Sequence, residues 1–370
     1  MGRIRRGKQR PVVVTVFGTR PQFIKLSGLW QLFEERFRSI LVDSGQHYDY
    51  ELAGSFHDVT GLRTPDYHLG IGSCAPAAQI GRIADRLDTL LGRLRPDAVV
   101  VFGDTSTTAG GAVAAAFRNI PLAHVEAGLR SYDPRAAEEK NRVIADHLAR
   151  WLFVPTESAA ANLRREGITR GIVGVGDVLH ENWRRWRREI SVDAMAARYN
   201  LAPGNYYFVT CHRAETVDDP NRLRQVARIL RALDRPTVFA AHPRARKSLS
   251  ALGLWGRLKQ SRHLRLTPPL PYPESLALTS GAHTVLTDSG GVQREAAWFG
   301  TPCLVLRDRT EWTELVACGA IRVTDLDAAV IERNLRRRRF RMRPVADRFH
   351  NSRYPSRRIV NRLARDLVTG

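Results

Sequence analysis

Residues 286–296 read L-T-D-S-G-G-V-Q-R-E-A, so a hydrophobic run stops at an acid, a hydroxyl and two glycines before helix-forming residues follow. This order is typical of a strand, a glycine turn and the first turn of a helix. The backbone N–H groups of Ser289, Gly290 and Gly291 would then face a phosphate, because the first amides of a helix have no partner within it. A carboxylate cannot help to hold phosphate, so Glu295 is predicted to bind a ribose diol. The stretch therefore favours a nucleotide over bare phosphate.

Short β-branched runs alternate with longer helical patterns along the whole chain. Such alternation predicts an α/β fold, in which βαβ units build a parallel sheet with helices on both faces. The pattern starts again after about residue 180, which predicts two Rossmann-like, doubly wound domains in tandem. The predicted strands are 12–17, 38–44, 98–103, 122–126 and 151–155 in the first half, and 206–211, 237–241, 264–268, 284–288 and 302–306 in the second.

The chain of 370 residues is too long for one hydrophobic core, which also favours two domains. We expect an N-terminal Rossmann-like domain over 1–180, a C-terminal Rossmann-like, nucleotide-binding domain over 181–350 and a terminal amphipathic helix over 351–370. Ligands of doubly wound sheets bind outside the carboxyl ends of the strands. With two such sheets, the expected site is the cleft between them.

The chain is strongly basic, with 58 Lys and Arg, 37 Asp and Glu, and a formal net charge of +21. The arginines cluster at 183–188 and 333–343, so nucleic acid is one candidate partner. The alternative is solvated basic faces around an anionic substrate. We favour the alternative, because no helix-turn-helix, zinc-finger or RNA-binding motif accompanies the charge.

Cellular location is judged from membrane-spanning and signal-like segments of the sequence. No apolar run approaches the roughly 20 residues of a membrane helix, and the basic start is not followed by a signal-like stretch. We therefore expect a cytoplasmic protein with no membrane partner. The four cysteines show no paired C-x-x-C spacing, which favours reduced structural thiols over disulfides or metal ligands.

In the first half, charged residues follow the predicted strands directly. Residues 18–25 read G-T-R-P-Q-F-I-K, where Arg20 and Lys25 bring cations to a helix start. An anion site is the functional interpretation, and a solvated turn with incidental cations is the alternative.

Three carboxylates also lie at or near strand ends in the first half. They are Asp104, Glu126 and Glu138, and Arg142 lies near the last of them. Carboxylates beside cations suit proton transfer at carbon, since one can accept a proton while others donate or orient. For Asp104 alone, a helix N-cap is an equal alternative.

In the second half, the strand that ends at residue 211 leads into H-R-A-E-T. Histidine is the side chain that ordinarily changes charge near neutrality, which makes His212 a candidate, although a histidine at a strand end is often structural. Arg213 has the geometry to clamp a diphosphate. A second strand end reads H-P-R-A-R from His242, which we group with the binding residues.

Nine motifs occur in order from about residue 12 to 325, and together they resemble the non-hydrolysing UDP-N-acetylglucosamine 2-epimerase family. They are G-T-R-P-Q-F-I-K, S-G-Q-H-Y-D, F-G-D-T-S-T-T, H-V-E-A-G-L-R-S, A-E-E-K-N-R, T-C-H-R-A-E-T, H-P-R-A-R, T-D-S-G-G-V-Q-R-E-A and R-D-R-T-E-W-T-E-L-V.

The resemblance implies a two-domain GT-B type fold, a terminal helix that crosses back to the first domain, a homodimer, and a reaction without NAD or metal. In that reaction a proton leaves C2 as UDP is expelled from C1, and UDP adds back after reprotonation on the other face. The implied acid–base residues are Asp104, Glu126 and Glu138, with His212 as catalytic histidine. The implied ligands of the diphosphate, sugar and uridine are Arg20, Lys25, Arg142, Ser289, Gly290, Gly291 and Glu295.

Departures from the family pattern bear on the substrate. Gln22 replaces a usual Glu, and Trp312 replaces a usual Arg, as in the branch similar to UDP-2,3-diacetamido-2,3-dideoxyglucuronate 2-epimerases. Ala137 and Thr216 also depart from the family pattern. UDP-N-acetylglucosamine stays open as the substrate. A hydrolysing relative that releases N-acetylmannosamine and UDP, and a basic nucleic-acid-binding protein on an epimerase fold, are the alternative functions.

One further motif of the resemblance concerns regulation. Gln46 and His47 fall in the S-G-Q-H-Y-D motif, which some bacterial members use for a second, activating substrate molecule.

Overall fold

The first sheet has a hydrophobic core on each of its faces, because alternate residues of a strand point to opposite faces. The computed structural model describes residues 10–46, 61–336 and 352–369. Within them, the first sheet is parallel throughout, in the order β3-β2-β1-β4-β5-β6-β7. Its strands are β1 Val12–Phe17, β2 Arg38–Asp43, β3 Tyr67–His68, β4 Ala98–Phe102, β5 Leu122–Val125, β6 Trp151–Val154 and β7 Ile172–Gly174.

Strand β4 shows the two cores directly. Val99 and Val101 enter one hydrophobic cluster, while Val100 and Phe102 enter another. A doubly wound sheet needs this continuous burial, because helices cover both of its faces. The helices that follow these strands are α1 Arg20–Ser27, α2 Trp30–Arg36, α3 Pro76–Leu94, α4 Ser106–Phe117, α5 Ala137–Leu148, α6 Glu157–Arg165 and α7 Val178–Trp186.

The second sheet repeats the same design, in the order β10-β9-β8-β11-β12-β13. Its strands are β8 Tyr207–Cys211, β9 Thr237–Ala241, β10 Leu264–Thr267, β11 Thr284–Thr287, β12 Cys303–Val305 and β13 Ile321–Val323. The remaining helices are α8 Val192–Arg198, α9 Ala214–Val217, α10 Pro220–Ala232, α11 Pro243–Ala251, α12 Leu254–Lys259, α13 Tyr272–Gly281, α14 Gly290–Phe299, α15 Thr313–Ala317, α16 Ala328–Leu335 and α17 Pro355–Thr369.

The two parallel sheets with interleaved helices confirm the predicted α/β, doubly wound fold. Each of the ten predicted strands is present, and every strand end lies within one residue of its predicted position. In the described residues, the strands that the prediction missed are β3, β7 and β13. They have two or three residues and lie at sheet edges, where periodicity is too brief to detect.

The described residues divide into two compact units. The first comprises those up to Asn182 together with α17, and the second comprises those from Trp183 to Arg336. The arginines from 337 to 343 lie outside the described residues. None of the described helices is both long and apolar enough to cross a membrane.

Helix α17 belongs to the core of the first unit although it comes last in the chain. Ile359 and Leu363 are fully buried and join the hydrophobic cluster that contains Phe33 of α2. Trp151 on β6 donates its indole N–H to Oδ2 of Asp366 at 2.8 Å. Burial opposes ionisation of Asp366, but hydrogen bonds from Arg362, Trp151 and Arg365 lower its pKa to about 2.

Replacing Leu363 with alanine tests this docking. Leu363→Ala is expected to lower the free energy of unfolding of the first unit by about 2–5 kcal/mol, because it leaves a cavity in the core. Urea unfolding followed by circular dichroism measures the change. Val368 lies on the same helix and is 49% exposed, so Val368→Ala should change stability by less than about 0.5 kcal/mol. Equal losses in the two variants would contradict a docked helix.

Candidate functional site

Gln22 connects the loops that follow β1 and β4 in the first unit. Its Oε1 accepts hydrogen bonds from the backbone N–H groups of Gly18 at 2.9 Å and Thr19 at 3.2 Å. Its Nε2 lies 2.9 Å from the carbonyl oxygen of Phe102 and 3.0 Å from Oγ1 of Thr105. A carboxylate has no proton to donate to a carbonyl, so the amide of Gln22 is matched to this loop pair. The Gln22 departure from the family pattern therefore has a structural explanation.

Lys25 and Glu126 form a buried ion pair beside these loops. Lys25 lies in the last turn of α1, Glu126 follows β5, and the two side chains are 8% and 5% exposed. A Cβ atom on Gly103 would lie 3.0 Å from Nζ of Lys25 and 3.3 Å from Oε2 of Glu126. Gly103 also has φ of +64°, so both its conformation and its neighbours favour glycine.

Glu126 has an unusual backbone conformation. Its φ of +73° lies in the left-handed region, which costs a non-glycine residue roughly 1–3 kcal/mol. The N–H of Glu126 donates to the carbonyl oxygen of Phe153 at 3.0 Å, which holds the residue in this conformation. Strain of this kind concentrates at functional sites, and here it coincides with a predicted acid–base residue.

Arg142 and Asp104 form a second ion pair, between α5 and the loop after β4. Arg142 is 3% exposed, and its Nη1 also lies 3.4 Å from Oε2 of Glu139. Asn141 donates from Nδ2 to the carbonyl oxygen of Asp104 at 3.0 Å. Glu139 accepts from the backbone N–H of Ser131 at 2.8 Å. Asp104 is thus held through both its backbone and its side chain.

Two predicted cations are therefore partners of two predicted acid–base carboxylates. This pairing is a finding beyond the sequence prediction, which assigned Lys25 and Arg142 to the substrate. Buried charges need partners of opposite sign, and the two pairs meet that need on neighbouring strand ends. Phe102 of β4 lies opposite Val125 of β5, which brings the segments carrying Asp104 and Glu126 side by side.

The other predicted residues of the first unit lie at helix starts. Arg20 is the first residue of α1 and Glu138 lies in the first turn of α5, and both are partly exposed. A cation at a helix N-terminus is favourable when an anion binds there.

The motif that the resemblance connects with regulation is described only in part. Gln46 accepts hydrogen bonds from the N–H and the hydroxyl of Thr107 at 3.0 and 2.7 Å. His47 lies outside the described residues.

In the second unit, Asp288 organises the end of the sheet. It follows β11, is fully buried, and its Oδ2 accepts from the N–H groups of His212 at 2.7 Å and Arg213 at 2.8 Å. Its Oδ1 lies 3.1 Å from Nδ1 of His212. The opposite ring nitrogen, Nε2, is thereby left for a ligand, and the His212 side chain is 38% exposed.

The charge of Asp288 follows from the same contacts. Burial alone raises the pKa of a carboxyl group, but the interaction with His212 and the two backbone N–H groups hold the pKa of Asp288 well below its usual range. The sequence prediction missed Asp288 as a functional residue. Its signal was an acid directly after an apolar strand, inside the stretch that favoured a nucleotide.

The glycine turn after Asp288 begins α14 at Gly290, with Ser289 at the N-cap. The amide of Ser289 already donates within the chain, to Oγ1 of Thr287 at 2.9 Å. The amides of Gly290 and Gly291 lie in the first turn, where no helical carbonyl can accept from them. Glu295, on the same helix, is 4% exposed.

Gly290 is also a packing requirement. A Cβ atom there would lie 2.5 Å from Oε1 of Glu311 and 3.1 Å from Nε1 of Trp312. Arg213 lies 3.7 Å from Glu311 through Nη2, so a predicted diphosphate ligand borders the same place. Trp312 is 1% exposed, and the Arg294 guanidinium lies 4.1 Å from its ring centroid. The departure at Trp312 thus forms part of the wall behind the glycine turn.

His242 lies close to His212 within the second unit. It is the N-cap of α11, and its Nδ1 lies 3.3 Å from the N–H of Arg244. The ring centroids of His212 and His242 are 6.1 Å apart. The described ranges contain no group of three or more His, Cys, Asp or Glu side chains that could hold a metal ion.

Comparisons with known proteins give consistent matches over most of the chain. The family model for UDP-N-acetylglucosamine 2-epimerase matches residues 32–363. A UDP-N-acetylglucosamine 2-epimerase homolog of Methanococcus maripaludis is 40% identical over 309 residues, which are 83% of this chain and 87% of the relative. The UDP-2,3-diacetamido-2,3-dideoxy-D-glucuronate 2-epimerase of Pseudomonas aeruginosa is 38% identical over 317 residues, covering 83% and 86%.

A solved structure shows the same likeness. The crystal structure of the Methanocaldococcus jannaschii UDP-GlcNAc 2-epimerase in complex with UDP-GlcNAc and UDP has a TM-score of 0.87 and 34% sequence identity. The match covers 97% of this chain and 100% of that chain.

The buried charge of Asp288 predicts a pH-dependent effect. Because its pKa is lower in the folded protein, the carboxylate stabilises the fold above its unfolded pKa of about 3.9, and this stability is lost as pH falls toward the folded pKa. Asp288→Asn should lower the free energy of unfolding by about 1.5–3 kcal/mol at pH 7. That difference should begin to shrink below about pH 4.

Urea unfolding at a series of pH values measures both quantities. Asp193→Asn, at an exposed position of α8, serves as the control and should stay within about 0.5 kcal/mol of the wild type. A loss for Asp288→Asn no larger than that of the control at pH 7 would contradict the role given to Asp288.

Proposed function

Since this chain belongs to the UDP-N-acetylglucosamine 2-epimerase family, we propose that it is an isomerase that inverts C2 of a UDP-2-acetamido sugar without hydrolysing it. The observation that carries this proposal is the pair of cation-bound carboxylates, Asp104 and Glu126, at neighbouring strand ends of the first unit. Inversion at carbon needs a group to remove a proton from one face and a group to return a proton to the other.

The proposed reaction has two reversible stages. A carboxylate takes the proton from C2 while the bond between C1 and the UDP oxygen breaks, so the electrons of the C2–H bond form a C1=C2 double bond. A proton then reaches C2 on the opposite face, and the UDP oxygen adds back to C1. No electrons are gained or lost overall. Asp104, Glu126 and Glu138 are the proposed proton carriers, with Lys25 and Arg142 as cations beside them.

The second unit supplies the proposed UDP ligands. The diphosphate is expected at the amides of Gly290 and Gly291, where the helix terminus favours negative charge. His212 presents Nε2, and Arg213 and His242 add polar groups nearby. Arg20 and Ser289 are retained as further proposed ligands. Glu295 is the proposed acceptor of hydrogen bonds from the ribose hydroxyls.

The substrate is proposed as a class. UDP-2,3-diacetamido-2,3-dideoxyglucuronate and UDP-N-acetylglucosamine are the two candidates. The 38% identity to the Pseudomonas aeruginosa enzyme and the 34% identity to the Methanocaldococcus jannaschii enzyme are too close to choose between them. The basic composition suits the additional carboxylate of the uronate.

We also propose a homodimer in the cytoplasm. Phe117, which ends α4, is 83% exposed, and Leu148, which ends α5, is 40% exposed. Helices α4 and α5 pack together, so these apolar side chains suit a protein contact.

The cytoplasmic location is supported by the cysteines. Four of them in the described part of the chain are free thiols, as a reducing compartment would keep them: Cys74, Cys211, Cys303 and Cys318.

Incubation of each candidate sugar nucleotide with the enzyme in D₂O tests the proposed function. Proton NMR should show deuterium entering at C2 together with a mixture of the two C2 epimers, both still attached to UDP. Free sugar and UDP formed in equal amounts would instead indicate the hydrolysing reaction. Absence of deuterium from every UDP-2-acetamido sugar would overturn the proposal.

The proposed proton carriers predict separate effects on turnover and binding. Asp104→Asn and Glu126→Gln should each lower kcat by roughly 10²–10⁴, because an amide cannot carry the proton. UDP binding, measured by calorimetry, should stay close to wild type. Asp88→Asn is the matched control, since Asp88 is an exposed partner of Arg118. Wild-type exchange at C2 in either carboxylate variant would remove that residue from its role.

A further inference from the structure

His124 is a fully buried histidine on β5, two residues before Glu126. Its Nδ1 lies 2.7 Å from Oδ1 of Asp146, and its Nε2 lies 2.7 Å from the carbonyl oxygen of Gly103. A carbonyl oxygen can only accept a hydrogen bond, so Nε2 must carry a proton.

Asp146 faces donors alone in the same cluster. It accepts from the N–H of Gly128 at 3.1 Å and from Nη1 of Arg130 at 2.7 Å. Burial raises the pKa of its carboxyl group, but the charge and hydrogen bond of His124, together with Arg130, lower that pKa below the usual value. The permanent charge of Arg130 and the N–H of Gly128 favour the ionised carboxylate of Asp146, so this carboxylate is matched to a donor at Nδ1 of His124.

Donation to both acceptors requires a proton on each ring nitrogen of His124, which is the imidazolium form. A neutral ring would have one proton for two acceptors and would leave a lone pair facing either Gly103 or Asp146. The surrounding charges balance, since Arg130 also pairs with Glu166 at 2.7 Å. His124, Arg130 and Asp146 are buried, whereas Glu166 is partly exposed and also lies 3.5 Å from Nε2 of His147, so the paired charges extend from the interior to the surface.

The carbonyl group that His124 contacts belongs to Gly103, which lies beside the proposed proton carriers. Gly103 leads directly into Asp104, its N–H donates to the carbonyl oxygen of Val125 at 2.9 Å, and its Cα borders the Lys25–Glu126 pair. The Gly103 carbonyl lies in the peptide bond to Asp104. His124 therefore joins the two strand ends that carry the proposed proton carriers.

We infer that His124 is a positioning residue, which as an imidazolium ion fixes the Gly103–Asp104 peptide and so the placement of Asp104 relative to Glu126. The inference rests on the proposed function for its kinetic consequence, whereas the protonation state is a property of the folded chain alone.

Two amide substitutions separate the two hydrogen bonds of the ring. Asparagine places its amide nitrogen near the position of Nδ1, so His124→Asn can keep the bond to Asp146 and loses the bond to Gly103. Glutamine reaches the position of Nε2, so His124→Gln can keep the bond to Gly103. Using UDP-N-acetylglucosamine and the diacetamido uronate as probes, His124→Asn should lower kcat by about 10- to 100-fold with KM within about twofold, because the displaced group acts in the reaction rather than in binding.

His124→Gln should recover most of the lost kcat. His263→Asn is the control, since His263 also bonds a backbone carbonyl, that of Leu230, but lies in the second unit. Wild-type kcat in a folded His124→Asn protein would overturn the inference, as would an equal loss of kcat in the asparagine and glutamine variants.

The wild-type protein supplies a measurement that does not depend on folding of the variants. With ¹⁵N-labelled histidine at pH 7.5, both ring nitrogens of His124 should show directly bonded protons. A single protonated nitrogen would overturn the inference and leave the turnover of the wild type untouched. Absence of C2 exchange in the wild type would instead overturn the proposed function.

Discussion

Buried charge must be paired, and this constraint shapes the carboxyl edge of the first sheet. Lys25 reaches Glu126 and Arg142 reaches Asp104, so each pair connects a helix to a strand end. Position 103 favours glycine because the Lys25–Glu126 pair occupies the space that a side chain would need. The amide of Gln22 holds the neighbouring loops at the spacing that these contacts need. Breaking one pair would leave a buried charge alone, which is far more costly than losing an exposed ion pair.

The same edge shows how far sequence reasoning reaches. The long strands and the positions of Asp104 and Glu126 could be predicted, because apolar runs that stop at polar residues are local patterns. The ion-pair partners of these two carboxylates could not be predicted, since pairing depends on which strands become neighbours. Lys25 was assigned to an anion at the helix start, yet it lies in the last turn of α1 beside Glu126. His124 sits within an apolar strand, and only the folded chain brings Asp146 and Gly103 to its ring.

The second unit uses one stretch of sequence for two purposes. Asp288 follows a strand, accepts a hydrogen bond from the backbone N–H of His212 and lies 3.1 Å from Nδ1 of its ring. Gly290 starts the next helix and leaves room for Glu311 and Trp312 behind it. Gly290 is therefore needed for packing as well as for the proposed ligand site. This overlap explains why the sequence could locate the turn but could not foresee that the Ser289 amide is already bonded within the chain.

The contribution of α17 to the first core has a consequence for biosynthesis. Residues of the described second unit follow one another in sequence, whereas the first unit is completed by Ile359 and Leu363, near the end of the chain. During translation the rest of the first unit must wait with an unfinished hydrophobic surface until α17 has left the ribosome, and exposed surface of this kind promotes aggregation. A chain terminated before α17 would therefore suffer its damage in the part of the first unit that was synthesised earlier.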